Sequence, residues 1–443
     1  MLDALSIILV VIYFIIVLYI GFKASRKEDD EGFLLANRNV GTFVLTATIV
    51  ASMVGGNMIV TTMAFVYEYG ISFLWSAIGT LIGFLILALL APTIKKLADK
   101  HKFYTLPDFI HQKYGKTASI PAAAVIFISY LGFLLIQFIA GGIVLSSITG
   151  WSYPFSIILI GVVVVAYITA AGFKAVIRTD VFQYFVIFLL AILAIFLFVN
   201  SGKITSESLR IFSAGPANIA AFLLYGIVVT ITGAEIWQRI YAGKTEKIVK
   251  KSLIWSGFIT AAILTIIVLI GLFVQSRFPN IVPETALVVG FSNLLPPYLL
   301  GIGLVILFAA IMSSLDTFLF VLSTSVSKDF LGKFDRLSRH NFATNTRICS
   351  IVFGIIGIIL ALLLTSIVSV ILSIAGVYFA LFAAVIFSFK YDLKAKAVVL
   401  SIIGGVLASV VSCIVIGISV ESTLMSFPAS FILLGIGQLV FKK

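Results

Sequence analysis

The stretch LFAAIMSSLDTFLF, residues 307–320, lies inside an apolar segment long enough to cross a membrane. Near its middle it carries Ser313, Ser314 and Asp316. An ionisable group at bilayer depth is costly, so it is read first as part of a functional site. Ala310, Ser313 and Ser314 stand at i, i+3 and i+4, so a helix puts them on one face. A backbone carbonyl and two hydroxyls there offer neutral oxygens, the donor type that small hard cations prefer. A second oxygen source is SMVGGNM, residues 52–58, where an interrupted helix would free carbonyls that a continuous one uses internally. Each feature also has a plainer explanation. Membrane serines bond back to carbonyls one turn earlier, and paired glycines serve close helix packing.

Positioning these groups requires a membrane-spanning frame, and the composition supplies one. The chain has 443 residues, 61% hydrophobic and 11% charged, with a mean hydropathy of +1.21. Soluble domains carry about a quarter charged residues. The expected fold class is therefore an all-α polytopic membrane protein. Apolar runs of about 20 residues predict 13 transmembrane helices. They fall near 4–23, 42–66, 70–92, 117–147, 152–171, 173–199, 216–241, 248–276, 296–327, 345–365, 366–390, 395–418 and 424–441. A transmembrane barrel is excluded, because its strands are about ten residues long and alternate in polarity. Cys349 and Cys413 lie in separate spans and read as packing residues, and His101, His111 and His340 form no cluster. The first apolar stretch is too long for a signal peptide and stays as a span.

The basic charge sorts by side. With the N-terminus outside, 27 of the 30 Lys and Arg residues fall in inward segments, and only Lys203, Arg210 and Arg277 lie outward. This bias orients the chain with its C-terminus in the cytoplasm. It also explains the net charge of +12 without a nucleic acid partner. The expected location is the plasma membrane, with the lipid bilayer as solvent.

Three features recur five spans apart. The fourth and ninth spans are unusually long. TLPDFIHQKYGK precedes the fourth and PETALVVGFSNLLPP the ninth, each reading as a short amphipathic helix. The second and seventh spans carry the interruptions SMVGGNM and TITGAEIW. An odd-numbered repeat forces inversion, and paired broken helices in inverted halves point to a midplane site in a secondary transporter. The reading is a five-plus-five inverted repeat with broken helices in a single domain over 1–443. Residues 42–199 form the first half and 216–390 the second. Residues 1–41 hold the first span and a cytoplasmic loop, and 391–443 the peripheral C-terminal spans.

Four stretches, FLLANRNVGTFVLTATIVASMVGG, AAGFKAVIRTDVFQ, WQRIYAGKTEK and AAIMSSLDT, occur in family order and at family spacing. On them the chain resembles the sodium:solute symporter family, whose members carry proline, pantothenate and sugars on a LeuT-type fold. The resemblance implies a sodium ion held by the residues matching Ala51, Val54, Ala310, Ser313 and Ser314. Asp180 lies about 10 Å inside the sixth span if that helix begins near Phe173. It pairs either with Lys174 or Arg178 or, as its family counterpart suggests, serves as a sodium relay to the inner vestibule. Asp316 either supports the serine hydroxyls or caps a polar cavity behind them. Glu235 precedes Arg239 by one turn, a favourable orientation for a structural pair.

The solute is expected beside the two interruptions. N–H groups of Gly55, Gly56 and Asn57 could hold a carboxylate at a half-helix N-terminus. The positions that line the substrate in relatives, with aromatic or amide side chains there, fall on the smaller Gly226, Val229 and Thr230, and the adjacent Tyr225 either gates the site or serves ordinary packing. The resulting expectation is a sodium-coupled symporter importing a small organic solute. A proton-coupled symporter would instead use Asp180 or Asp316. A channel would need a continuous polar pore, and a sensor an output domain, which the chain's end soon after the last span leaves no room for. The spans show no catalytic constellation of an enzyme.

Overall fold

Backbone N–H and C=O groups find no water in hydrocarbon, so each spanning segment must satisfy them within a helix. The computed structural model describes residues 4–24, 30–200, 209–331, 342–364 and 367–441. Arg26, Lys27, Lys203, Lys333, Arg336, Arg339, Lys442 and Lys443, used in the charge count, lie outside the described residues, as does His340. Among the described residues the chain is almost wholly helical, and its only β pairing is a single bridge between Val40 and Gly243.

The chain runs through α1 (Ala4–Lys23), the short α2 (Asp30–Leu35), α3 (Thr42–Met53), α4 (Gly56–Tyr69), α5 (Leu74–His101), α6 (Leu106–Thr149) and α7 (Tyr153–Asn200). Then follow α8 (Gly215–Thr232), α9 (Ala234–Ala242), α10 (Glu246–Arg277), α11 (Ala286–Leu294) and α12 (Pro297–Ser325). The chain closes with α13 (Phe342–Leu363), α14 (Ile367–Phe379), α15 (Phe382–Phe387), α16 (Ala395–Ile416), α17 (Val420–Leu424) and α18 (Ser426–Val440). Twelve helical stretches among the described residues are long and apolar enough to span a membrane. The thirteenth expected span, the second, is divided into α3 and α4 and so is not one long helix.

Two glycines set turns inside long helices. Gly172 divides α7 into the fifth and sixth spans at φ +60°, where an added Cβ would also meet the Phe33 ring at 2.6 Å. Gly115, at φ +79°, separates the amphipathic start of α6 from the fourth span. That start is capped by Thr105, whose side chain and that of Asp108 satisfy each other's backbone N–H groups.

Both expected interruptions are present. α3 ends at Met53, Gly55 is extended, and α4 begins at Gly56. Gly233, at φ −57° and ψ 102°, separates α8 from α9. A further break was not expected: the eleventh span is not one helix over 366–390 but parts between α14 and α15 at Ala380 and Leu381.

α12 is the central element. In its most apolar stretch 94% of residues are buried, against 28% for α1 and 22% for α16. At one end of the bundle, polar contacts tie the half-helices together. Val40 donates to the Ala242 carbonyl and accepts from the Lys244 N–H, joining the start of α3 to the end of α9. The buried Lys95 ammonium bonds Asp99 at 2.6 Å and the Tyr241 carbonyl at 3.0 Å. Lys328 and Asp108 pair at 2.7 Å, joining the end of α12 to the start of α6.

Candidate cation and solute sites

The last carbonyls of a helix have no partner within it. At the end of α3 two of them meet the serines of α12. Ser313 Oγ donates to the Ala51 carbonyl at 2.8 Å and to the Ala310 carbonyl at 3.0 Å. Ser314 Oγ donates to the Ser52 carbonyl at 3.0 Å. Ala51, Ala310, Ser313 and Ser314 are thus brought together, fully buried. Val54, also buried, terminates α3, and its N–H still bonds the Val50 carbonyl. Back-bonding and the cross-helix contact coexist at Ser313. Each hydroxyl keeps lone-pair capacity beyond the proton it donates, so the cluster suits a small cation. Ser52 was not singled out from the sequence, although the interruption that frees Ala51 frees it too.

One turn further along α3 and α12 sits a charged cluster. Asp180 does not pair with Lys174 or Arg178. Its carboxylate accepts from Arg239 at 2.9 Å and from the Thr48 hydroxyl. Arg239 also donates to Thr48 and Thr317, each at 2.9 Å. All four residues are buried. The expected Glu235–Arg239 side-chain pair is therefore replaced. The guanidinium reaches only the backbone carbonyl of Glu235, at 3.2 Å, and turns toward Asp180 on α7. Asp316 accepts from Tyr167 at 2.8 Å and Thr179 at 3.4 Å, not from the serines. One oxygen of Asp180 and one of Asp316 have no hydrogen-bond partner.

Gly55 and Gly56 do not line a solute cavity. A Cβ at Gly55 would meet Ser314 Oγ at 2.1 Å, and one at Gly56 would meet Ile311 at 2.2 Å. These glycines let α4 and α12 cross closely beside the Ser314 hydroxyl. Asn57 lies in the first turn of α4, and its side chain lies outside the described residues. A cavity opens instead among α3, α4, α5, α6, α8, α9, α10, α12 and α14. Gly226 and Val229 line it, as does Tyr225, whereas Thr230 turns its hydroxyl back to the Gly226 carbonyl at 2.8 Å. Ser52 also lines it, so the cavity and the serine–carbonyl cluster share a residue. Glu235 stands in the wall as well, its carboxylate accepting from Tyr130. Reading Glu235 as the partner of Arg239 hid this placement.

Two broken helices flank a central cavity, and a cluster of serine hydroxyls and freed carbonyls lies where one break crosses α12, the arrangement expected of a secondary transporter. The sequence profile described as the sodium:solute symporter family matches residues 33–390, and the chain belongs to that family. Similar proteins include the osmoregulated proline transporter of Bacillus subtilis, 27% identical over 79% of this chain and 76% of that one. Sodium/proline symporter 2 of Staphylococcus saprophyticus is 25% identical over 73% of this chain and 68% of its own length. The fold matches that of a Na⁺-coupled sialic acid symporter solved in a substrate-bound outward-open state. The TM-score is 0.82 at 18% identity, over 99% of this chain and 98% of that one. A nucleobase-cation-symport-1 family transporter shares the fold more distantly, with a TM-score of 0.55 at 13% identity over 93% of this chain and 96% of that one. The chain is a multi-pass membrane protein of LeuT-type architecture, a transporter and not an enzyme. It couples sodium to the symport of a small organic solute.

Proposed function

We propose that sodium binds where the end of α3 crosses α12, on oxygens of Ala51, Val54, Ala310, Ser313 and Ser314, and that it draws the solute into the adjoining cavity. The observation that carries this is the pair of serine–carbonyl contacts next to Ser52. A cation that reshapes the end of α3 changes the cavity wall directly, which is the differential contact that coupling requires. Asp180, one turn away, supplies the negative charge through which sodium leaves. Its partnerless oxygen supports that role, and Arg239 keeps the carboxylate oriented. The inverted halves over 42–199 and 216–390 provide the two arrangements that alternate. Proteoliposomes containing the full chain should concentrate the solute only under an inward sodium gradient. Equal uptake under a proton gradient without sodium would overturn the coupling ion.

The N-terminus is placed outside and the C-terminus in the cytoplasm, in the plasma membrane. The 27-to-3 division of basic residues supports this. An apolar vestibule lined by Phe65, Phe222, Ile371 and Leu424 shares Thr61, Phe73 and Tyr225 with the cavity, on the side away from the Val40–Gly243 clamp. Proline, the solute named for the bacterial relatives, is one candidate cargo. In a cysteine-free background, a cysteine at 95–116 should react with an impermeant reagent from the cytoplasmic side only. One at 209–213 should react from outside only, and the reverse pattern would invert the import direction.

A further inference from the structure

Glu235 is a buried carboxylate with no basic side chain beside it in the cavity. Arg239, one turn along α9, is committed to Asp180, Thr48 and Thr317. Among the described residues, the cavity lining contains no Lys, Arg or His. The carboxylate is nevertheless fixed in place. Tyr130 donates its hydroxyl proton to it and accepts the Glu235 N–H at 3.2 Å, so the group is aimed rather than mobile. Around it stand aromatic rings. Phe133 packs with Phe318 at 5.4 Å and with Tyr378 at 5.6 Å between centroids, and all three line the cavity.

A desolvated carboxylate is tolerated only with compensation, and an organic cation supplies it. Aromatic faces attract the same kind of group, strongly so when it is desolvated. An anionic solute would be repelled. A polyol would find hydroxyls whose protons are already committed, since Ser52, Ser76 and Thr80 each donate to a backbone carbonyl one turn back. We propose that Glu235, positioned by Tyr130, is the counter-ion for an ammonium group on the transported solute, with Phe133, Phe318 and Tyr378 forming the cage around it. This rests on the cavity being the solute site of the reading above. The ammonium can belong to a zwitterion such as an imino acid or to an organic cation without a carboxylate. The shared chemistry is the ammonium–carboxylate pair.

The test uses the full chain in proteoliposomes with four labelled probes of similar size: choline, proline, lactate and a five-carbon polyol. Uptake is measured both under a sodium gradient and as counterflow without one. Choline or proline should be carried, and which of the two decides between cation and zwitterion. Lactate and the polyol should not be. Glu235→Gln should weaken apparent affinity for the carried probe at least about thirtyfold, the scale of truncating a buried hydrogen-bonded charge pair. Sodium-induced thermal stabilisation should be unchanged, because Glu235 lies outside the cation cluster. Glu235→Asp should keep the ammonium selectivity with reduced affinity, which covers the case of a poorly folded Gln variant. Transport of lactate or the polyol, transport of neither ammonium probe, or unchanged affinity in both variants would overturn the proposal. Counterflow that needs Glu235 but uptake indifferent to the sodium gradient would instead overturn sodium coupling and leave the ammonium site standing.

Discussion

Arg239→Met should destabilise the folded protein by about 3–5 kcal/mol, the cost of leaving a buried charge without its partner. Methionine keeps most of the apolar stem, so the change isolates the guanidinium. What it strands is considerable. Asp180 loses its only ion-pair partner among the described residues, Asp316 remains nearby with one unpartnered oxygen, and Thr48 and Thr317 lose a donor. The sequence alone suggests that Asp180→Asn would leave folding nearly intact. The ion pair reverses that expectation, since the amide would leave Arg239 buried without its carboxylate. The double variant Asp180→Asn/Arg239→Met removes both charges, and its loss should fall well short of the sum of the singles. Thermal unfolding of the purified protein in detergent reads all three. An Arg239→Met protein as stable as wild type, or strictly additive losses, would mean that the pair does not hold α7 to α9.

Periodicity and length made the frame readable, because a spanning helix must be apolar for its whole length and a break needs glycine or an equivalent signal. Hence the interruptions at Gly55 and Gly233 were visible in advance. The partners of charged groups were not. Arg239 had an acidic neighbour one turn away and a better one 59 residues away, and only the packing of α7 and α9 against α3 and α12 chooses between them. Glu235, left without that partner, became part of the cavity wall. The paired glycines at 55 and 56 carried the same ambiguity, since a residue without a side chain serves an exposed amide and a close helix crossing equally well. Here the crossing wins, with Ser314 and Ile311 filling the space. The divided eleventh span gave no signal at all, because Ala380 and Leu381 are ordinary helix formers.

Ser313→Ala and Ser314→Ala should each weaken sodium binding about tenfold or more, since losing one hydroxyl ligand at about 1.4 kcal/mol already has that effect. Alanine keeps the helix and removes only the oxygen. In a shell closed by Ala51 and Ser52 carbonyls, with Gly55 packed against Ser314, water has little room to replace it. Ser52 belongs to both sites, so apparent solute affinity should fall as well, and raised sodium should restore it. Ser323 is the internal control. It sits on the same helix, but its hydroxyl only bonds back to the Leu319 carbonyl at 2.6 Å, and Ser323→Ala should leave sodium dependence unchanged. Sodium titrations of uptake at fixed solute, repeated at several solute concentrations, separate the two effects. If both serine variants lost solute affinity by the same factor at every sodium concentration, the hydroxyls would be acting on packing or on the solute itself. The cation would then have to be sought one turn away, around Asp180 and Asp316.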